Sequence, residues 1–406
     1  MNPTVLVIPA FFLFLGLEYF AARRLGKGHL FNYENSVANL SIGIAERLLN
    51  LFITGSFYGL YYYIYHNYAL LNIPNHWLIW VLLLVATDLV WYWYHRLGHE
   101  INILWGAHIV HHHSEDFNYT VSARITTLQS IVRNVFWCAL PFVGFQPQMV
   151  IAILVVHGAY SFFTHTQMIG KLGWFEYIFI TPTHHGVHHA SNSKYLNKNY
   201  GDIFVFWDKL FGTFQREEEK PVYGLTHPLK SHSFLWQHFH YYMELWVACR
   251  RAETFVGVVR VLFGKPEDID QEIRRALERK MLPRKAQPQH SFRFKAYLNI
   301  QLISCLAILF VFTLFFSRFD MIQVAFVVSF LLMTLVICGA MLEQRRWIYY
   351  LEVTRCLVLI GYVSIVSETF ILFSLSVIFF IVISPMKLGE SLYYRWVYGS
   401  KNGQSV

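Results

Sequence analysis

Residues 77–113, WLIWVLLLVATDLVWYWYHRLGHEINILWGAHIVHHH, decide how the rest of the chain is read. The first part, Trp77 to Tyr94, is apolar apart from a few positions such as Thr87 and Asp88. It has the makings of a membrane-spanning helix, which needs about 20 predominantly apolar residues. Histidines begin where it ends. His95 and His99 are four apart, which on a helix stacks both imidazoles on one face, one turn apart. His108, His111 and His112 follow at i, i+3, i+4, again one helical face, and His113 extends the run.

A second block, Thr181-Pro182-Thr183-His184-His185-Gly186-Val187-His188-His189, repeats the pattern. His185, His188 and His189 keep the i, i+3, i+4 spacing, but His184 and His188 form an i, i+4 pair too, so the frame stays open. Between the blocks, His157 and His165 lie eight apart, near one face and two turns apart. His165 sits where the chain leaves the membrane and joins the candidate ligands; His157 lies deeper. Elsewhere, His29, His66, His76, His227, His232, His238, His240 and His290 read as loop or interface residues.

Composition agrees with a membrane protein. Of 406 residues, 55% are hydrophobic and only 14% charged, against roughly 25% charged in soluble domains. Aromatic residues reach 18%, which suits interfaces and lipid contact. More than half of the 20 histidines fall between His95 and His189. The five cysteines form no CxxC pair, so neither a disulfide framework nor a zinc ribbon is expected. The net charge of +8 flanks apolar spans and does not point to nucleic acid.

Further spans are expected at Val5–Ala22, read as retained, at Val37–Tyr65, and at 131–163, the last a hairpin or re-entrant pair broken by Pro141, Gly144 and Pro147. More follow at Tyr297–Phe316, Ile322–Met341 and Tyr350–Ile383, the last as two tight spans broken near Ser367 and Glu368. Placing the Arg23–Lys27 loop in the cytoplasm leaves His66–His76, which has no Lys or Arg, outside. Both histidine blocks then return inside, as do Arg345, Arg346, Lys387, Arg395 and Lys401. The expected fold is an all-α, polytopic membrane bundle with a histidine-rich di-metal site on the cytoplasmic side. Four parts are expected: N-terminal spans over 1–76, a histidine-bearing core over 77–250, a cytoplasmic amphipathic linker over 251–296 that includes the basic run near Arg284, and C-terminal spans with a tail over 297–406.

Imidazole suits zinc, copper, iron and nickel. Eight ligands in matched positions exceed the four that one tetrahedral zinc uses, which argues for two ions. Cysteine is missing from the blocks, which disfavours iron–sulfur clusters and structural zinc.

At these residues the chain resembles the fatty acid hydroxylase and sterol desaturase superfamily, with its ordered HxxxH, HxxHH and late HxxHH motifs. Within it, the alkylglycerol monooxygenase branch is resembled by His95-Arg96-Leu97-Gly98-His99-Glu100, Trp105-Gly106-Ala107-His108, Ser114-Glu115-Asp116, Lys198-Asn199-Tyr200-Gly201 and Trp207-Asp208-Lys209. Where the family usually follows HxxHH with serine, this chain has His113, and Ser122–Ile125 follows the branch pattern only in part. The resemblance implies two non-haem irons and dioxygen as co-substrate. It implies a lipid substrate within membrane lipids, and an external electron donor: tetrahydrobiopterin, a b-type cytochrome or a ferredoxin. No HPGG haem loop is fused to the chain, so an electron-transfer protein is a possible partner. The implied membrane is the endoplasmic reticulum in a eukaryote or the cytoplasmic membrane in a bacterium.

Glu100, Asn199 and Asp208 are the candidate catalytic residues. Glu100, with Glu115, Asp116 and Asp202, lies near the blocks as an acceptor for imidazole N–H groups. Asn199, Tyr200 and Asp208 either line the site or brace the turn after His189. The implied reaction is hydroxylation of a lipid C–H bond, with ether-lipid cleavage to an aldehyde and a glycerol derivative. A sterol, carotenoid or fatty-acid hydroxylase or desaturase carries the same motifs. A metal transporter or sensor is the non-enzyme alternative, but transporters place ligands near the bilayer midplane, whereas these lie at the ends of spans.

Overall fold

The computed structural model describes residues 7–282, 291–345, 347–383 and 387–398; residues 5 and 6 of the first expected span, Arg284, His290, Arg346 and Lys401 lie outside them. Among the described residues the structure is helical, with two isolated β-bridges, Phe179 with Phe204 and Ala190 with Tyr223. The chain forms two compact units, one from residues 9–230 and 236–281, the other built on residues 231–235 and 282–406. In chain order the helices used below are α1 (Val7–Arg24), α2 (Tyr33–Tyr68), α3 (Trp77–Glu100), α4 (Asn102–His108), α5 (Thr127–Trp137), α6 (Pro147–Thr164), α7 (Pro182–His188), α8 (Phe234–Arg251) and α9 (Gln271–Met281). The second unit continues with α10 (Phe292–Leu314), α11 (Met321–Leu342), α12 (Ile348–Val366), α13 (Ile371–Ile383) and α14 (Leu388–Tyr398).

Among the described residues, six helices are long and apolar enough to cross a membrane: α2, α3, α6, α10, α11 and α12. Helix α1 is not among them. Glu18, Arg23 and Arg24 interrupt its apolar run, and Glu18 is buried, accepting hydrogen bonds from the Thr166 hydroxyl and the Tyr119 amide. The expected pair over 131–163 is asymmetric. Its incoming arm is α5 and a short helix Ala139–Val143, and only α6 has spanning length. The break near Ser367 is present, with Glu368 at φ 55°, but α13 is shorter than a full span.

The core of the first unit packs Tyr61, Leu83, Trp91, Trp137, Met149 and Val150 together. Two buried hydroxyls beside it are paired: that of Tyr61 donates to Asn134 (2.7 Å) and that of Ser130 to Glu46 (2.8 Å). In the second unit, buried Arg355 on α12 pairs with Glu352 and donates to Gln301 of α10 (2.6 Å) and Thr334 of α11 (3.1 Å). A charge inside an apolar bundle is tolerated in that fully bonded form.

The turn into α6 depends on Gly144. Its φ is +126°, and a Cβ there would stand 2.1 Å from the Leu71 carbonyl oxygen. The amides of Leu70 and Leu71 donate to the Phe142 and Val143 carbonyls, so the turn is clamped against the loop before α3. Gly144→Ala is expected to cost at least about 1–3 kcal/mol, read as a lower unfolding temperature in detergent; an unchanged melt would contradict this account of the turn.

Candidate metal centre

The histidines sit at helix ends. His95 and His99 occupy the last turns of α3, and His108 closes α4. A 3₁₀ turn, Ile109–His113, follows and presents His111 and His112. His165 caps the C-terminus of α6. His185 and His188 lie on α7, with His189 as its C-cap.

These elements bring nine imidazoles into two groups: His95, His99, His108, His112 and His188 in one, and His111, His165, His185 and His189 in the other. The ligand atoms within each group lie within 4.8 Å of one another. The groups adjoin, with the rings of His112 and His189 stacked at 4.4 Å. Aromatic walls close them off: Trp105 against His99 and His112, Phe117 against His165 and His189, and Tyr200 against His95 and His188.

Hydrogen bonds decide which ring nitrogen carries a lone pair. A backbone carbonyl accepts only from an N–H. The carbonyls of Tyr200, Lys198, Arg124 and Ser161 therefore place the proton on Nδ1 of His95 (2.8 Å), His188 (2.9 Å), His111 (3.2 Å) and His165 (2.7 Å). In the neutral ring the other nitrogen is then a bare acceptor. Yet Nε2 of His165 lies 3.1 Å from Nε2 of His111, two lone pairs face to face with no proton for either. Further Nε2 contacts follow at 3.0 Å (His185 to His165), 3.1 Å (His189 to His185, His95 to His108) and 3.2 Å (His112 to His108). Nε2 of His99 and of His188 is buried without a hydrogen-bond partner. One cation in each group would take up these lone pairs. Imidazoles bind metals at about 2.0–2.1 Å, which puts two ligands of one ion roughly 3.0–3.4 Å apart. The donor set thus fits metal, two ions in all if each group takes one.

Burial keeps the rings neutral and ready to bind. Loss of solvation, reinforced by neighbouring imidazoles, holds His108, His111, His112, His185 and His189 well below the ordinary 6.5. Burial brings His165 and His188 down to about 4. Such rings protonate less readily folded than unfolded, so the unfolded chain takes up protons first as pH falls. The stability they contribute is whole above pH 6.5 and is lost as pH falls from there toward about 4. The metal-free protein is expected to melt at progressively lower temperature across that window, and bound metal to leave in it; a flat melting temperature between pH 7 and 5 would contradict it.

The remaining sequence candidates lie elsewhere. His184 belongs to neither group. It is the third residue of α7, and its Nδ1 turns back toward the Thr181 amide (3.4 Å) in a capping box. It lines a surface cavity of about 430 Å³ with Lys171, Tyr177, Lys209 and Phe214. The Glu100 carboxylate accepts from Arg96 (2.9 Å). Asn199 ties the His184 carbonyl to Gln215, and Asp208 accepts from the amides of Tyr200 and Gly201. These three are braces and not members of the imidazole groups. Asp202 accepts from His157 (2.8 Å) and Asp116 from the Asn32 amide, so backbone carbonyls orient the ligands instead of the expected carboxylates. In a third buried group, Asp88, His157 and Asp202, Asp88 accepts from the amides of Ile203 and Phe204 and Asp202 from His157.

His113 leaves the centre for His240, which is read from sequence as a loop or interface residue but is fully buried on α8. Their Nε2 atoms lie 2.9 Å apart, and His240 Nδ1 meets Glu244 at 2.8 Å. No local spacing joins residues 127 positions apart. His184→Ala is expected to keep bound metal while His185→Ala loses it; equal loss in elemental analysis would overturn this division of the block.

The comparisons with known proteins follow the same residues. A fatty acid hydroxylase family model matches residues 80–213, the segment that carries all nine grouped imidazoles. Alkylglycerol monooxygenase from Homo sapiens is 34% identical over 80% of this chain and 74% of its own length. The enzyme of that name from Danio rerio is 31% identical over the same shares, 80% and 74%. An ornithine lipid hydroxylase from Rhizobium tropici is 30% identical over 33% of this chain and 41% of its own. No solved structure matches. With identity of this extent, and a family model over the histidine segment, the chain belongs to the fatty acid hydroxylase family, in its alkylglycerol monooxygenase branch, and is a membrane lipid monooxygenase.

Proposed function

We propose that the protein is a di-iron monooxygenase that cleaves ether lipids of the alkylglycerol type. The observation that carries the reading is the His111–His165 pair, whose facing lone pairs call for a cation. The name of the relatives supplies the substrate class. Two irons held by the nine imidazoles would supply activation of dioxygen and attack on an unactivated C–H bond.

The chain's own residues do the rest. The carbonyls of Tyr200, Lys198, Arg124 and Ser161 aim four ligands, and Trp105, Phe117 and Tyr200 keep water out. The helices that end in ligands also carry exposed apolar side chains, Leu78, Val81 and Leu82 on α3 and Val155 and Val156 on α6. Acyl chains packed there lie alongside the elements that hold the centre. In the reaction the ether carbon, dioxygen, two electrons and two protons give a hemiacetal and water. The hemiacetal C–O bond then breaks to an aldehyde and a glycerol hydroxyl. The electrons come from outside the chain, from tetrahydrobiopterin, a b-type cytochrome or a ferredoxin. The centre faces the cytoplasm, in the endoplasmic reticulum of a eukaryote or the cytoplasmic membrane of a bacterium.

Lipid profiling of cells with and without the protein, and with His111→Ala, tests this. Ether lipids should fall and fatty aldehyde rise with the wild type alone. Unchanged ether lipids beside altered sterols or hydroxy fatty acids would move the substrate; an unchanged lipid profile would end the reading.

A further inference from the structure

Two ligands of the five-imidazole group come from different helices yet lean on one short loop. His188 Nδ1 donates to the Lys198 carbonyl and His95 Nδ1 to the Tyr200 carbonyl. The amides of that loop end on two buried carboxylates. Asp208 accepts from the amides of Tyr200 (2.7 Å) and Gly201 (2.9 Å) and from the Thr213 hydroxyl (2.7 Å). Asp88, on α3, accepts from the amides of Ile203 (2.9 Å) and Phe204 (3.0 Å). Between them, the side chain of Asp202 is held by His157 of α6. Gly201 has no room for a side chain: a Cβ would lie 2.8 Å from the Phe204 carbonyl and 2.9 Å from Asp208. Asn199, at φ +54°, ties the start of the loop to Gln215.

We propose that residues 198–204 form a positioning loop, drawn taut by Asp208 and Asp88, that sets the metal affinity of the five-imidazole group and not of the four-imidazole group. The Gly201 amide on Asp208 fixes the peptide plane whose Tyr200 carbonyl aims His95. The plane that carries the Lys198 carbonyl is fixed by the Asn199 amide on the carbonyl of Thr213, whose hydroxyl is itself held by Asp208. Asp88 anchors the far end of the loop through Ile203 and Phe204. The matching acceptors of the other group, the carbonyls of Arg124 and Ser161, lie outside the loop. Asp208 and Asp88 are positioning residues, since they act through the loop. The inference rests on the reading that each group holds one ion.

Asparagine is the informative replacement. It keeps the shape but turns an NH₂ group toward a backbone N–H at Asp208 and at Asp88, donor against donor. The test titrates full-length metal-free protein in nanodiscs with cobalt(II), without oxygen. Wild type should bind two ions in resolvable steps, with His99→Ala removing one step and His165→Ala the other. Asp208→Asn and Asp88→Asn should weaken the step that His99→Ala removes by about 10–100-fold and leave the other unchanged. Thr213→Val removes only one donor to Asp208 and should shift the same step by less; it serves if an Asn variant fails to fold. Equal weakening of both steps, with a lower melting temperature of the metal-free protein, would make the loop merely structural and overturn the proposal. Unshifted steps would overturn it too. A wild type that binds a single ion would end the two-ion reading itself, a different failure.

Discussion

Nine imidazoles cannot share a dry cavity unaided. Each neutral ring offers one N–H and one lone pair, and four N–H groups here are already given to backbone carbonyls. The lone pairs of His95, His111 and His165 then face other nitrogens about 3 Å away, and that of His188 is buried without a partner. Protonating the rings would relieve the lone pairs but would gather positive charges where solvation is lost, and burial drives that equilibrium the other way. A bound cation is the arrangement that satisfies the nitrogens without charging the rings. The helices, turns and loops around the cavity serve to hold it in that condition.

The membrane helices contribute their ends more than their lengths. Helices α3 and α6 stop where His99 and His165 must project, and the 3₁₀ turn at Ile109–His113 lets neighbouring histidines serve different groups. His111 goes to one group and His112 to the other, and likewise His188 and His189. Adjacent residues on a helix point about 100° apart, so a pair of neighbours can straddle two adjoining groups where a single face could not. This is why the HxxHH spacing, read as one face, serves two groups.

That distribution shows how far sequence could reach. The spans, the helix ends and eight of the nine grouped imidazoles follow from hydropathy and from the i, i+3, i+4 pattern, and the ninth, His165, from its place at the end of an apolar arm. Spacing alone treats His184 and His185 alike and so leaves the frame of the second block open. A local signal was present: Thr181-Pro182 marks a helix start, and the third residue of a helix is where a side chain turns back to the cap, as His184 does. Proximity in sequence also picks out Glu100, Asn199 and Asp208, and in the structure Glu100 accepts from Arg96, Asn199 from the Gln215 amide and Asp208 from loop amides. The groups that orient the imidazoles were out of reach, because a backbone carbonyl has no signature in the identity of its residue.

His113, which departs from the usual serine, needs the same accounting. Arg124 is almost wholly buried, and its guanidinium donates to the Val110 carbonyl, Asn39 and Gln237. It also donates to Nδ1 of His113 (3.2 Å), which must therefore be the bare nitrogen. The proton of His113 then sits on Nε2 and is donated to Nε2 of His240, whose own Nδ1–H goes to Glu244. Glu244 in turn pairs with Arg274 at 2.8 Å. Every donor in this chain meets an acceptor, and a buried cation at one end is balanced by a carboxylate at the other. Both nitrogens of His113 are spent in it. The extra imidazole is thus withdrawn from the centre by the electrostatics of Arg124, and nine imidazoles remain grouped although ten histidines stand in the two sequence blocks alone.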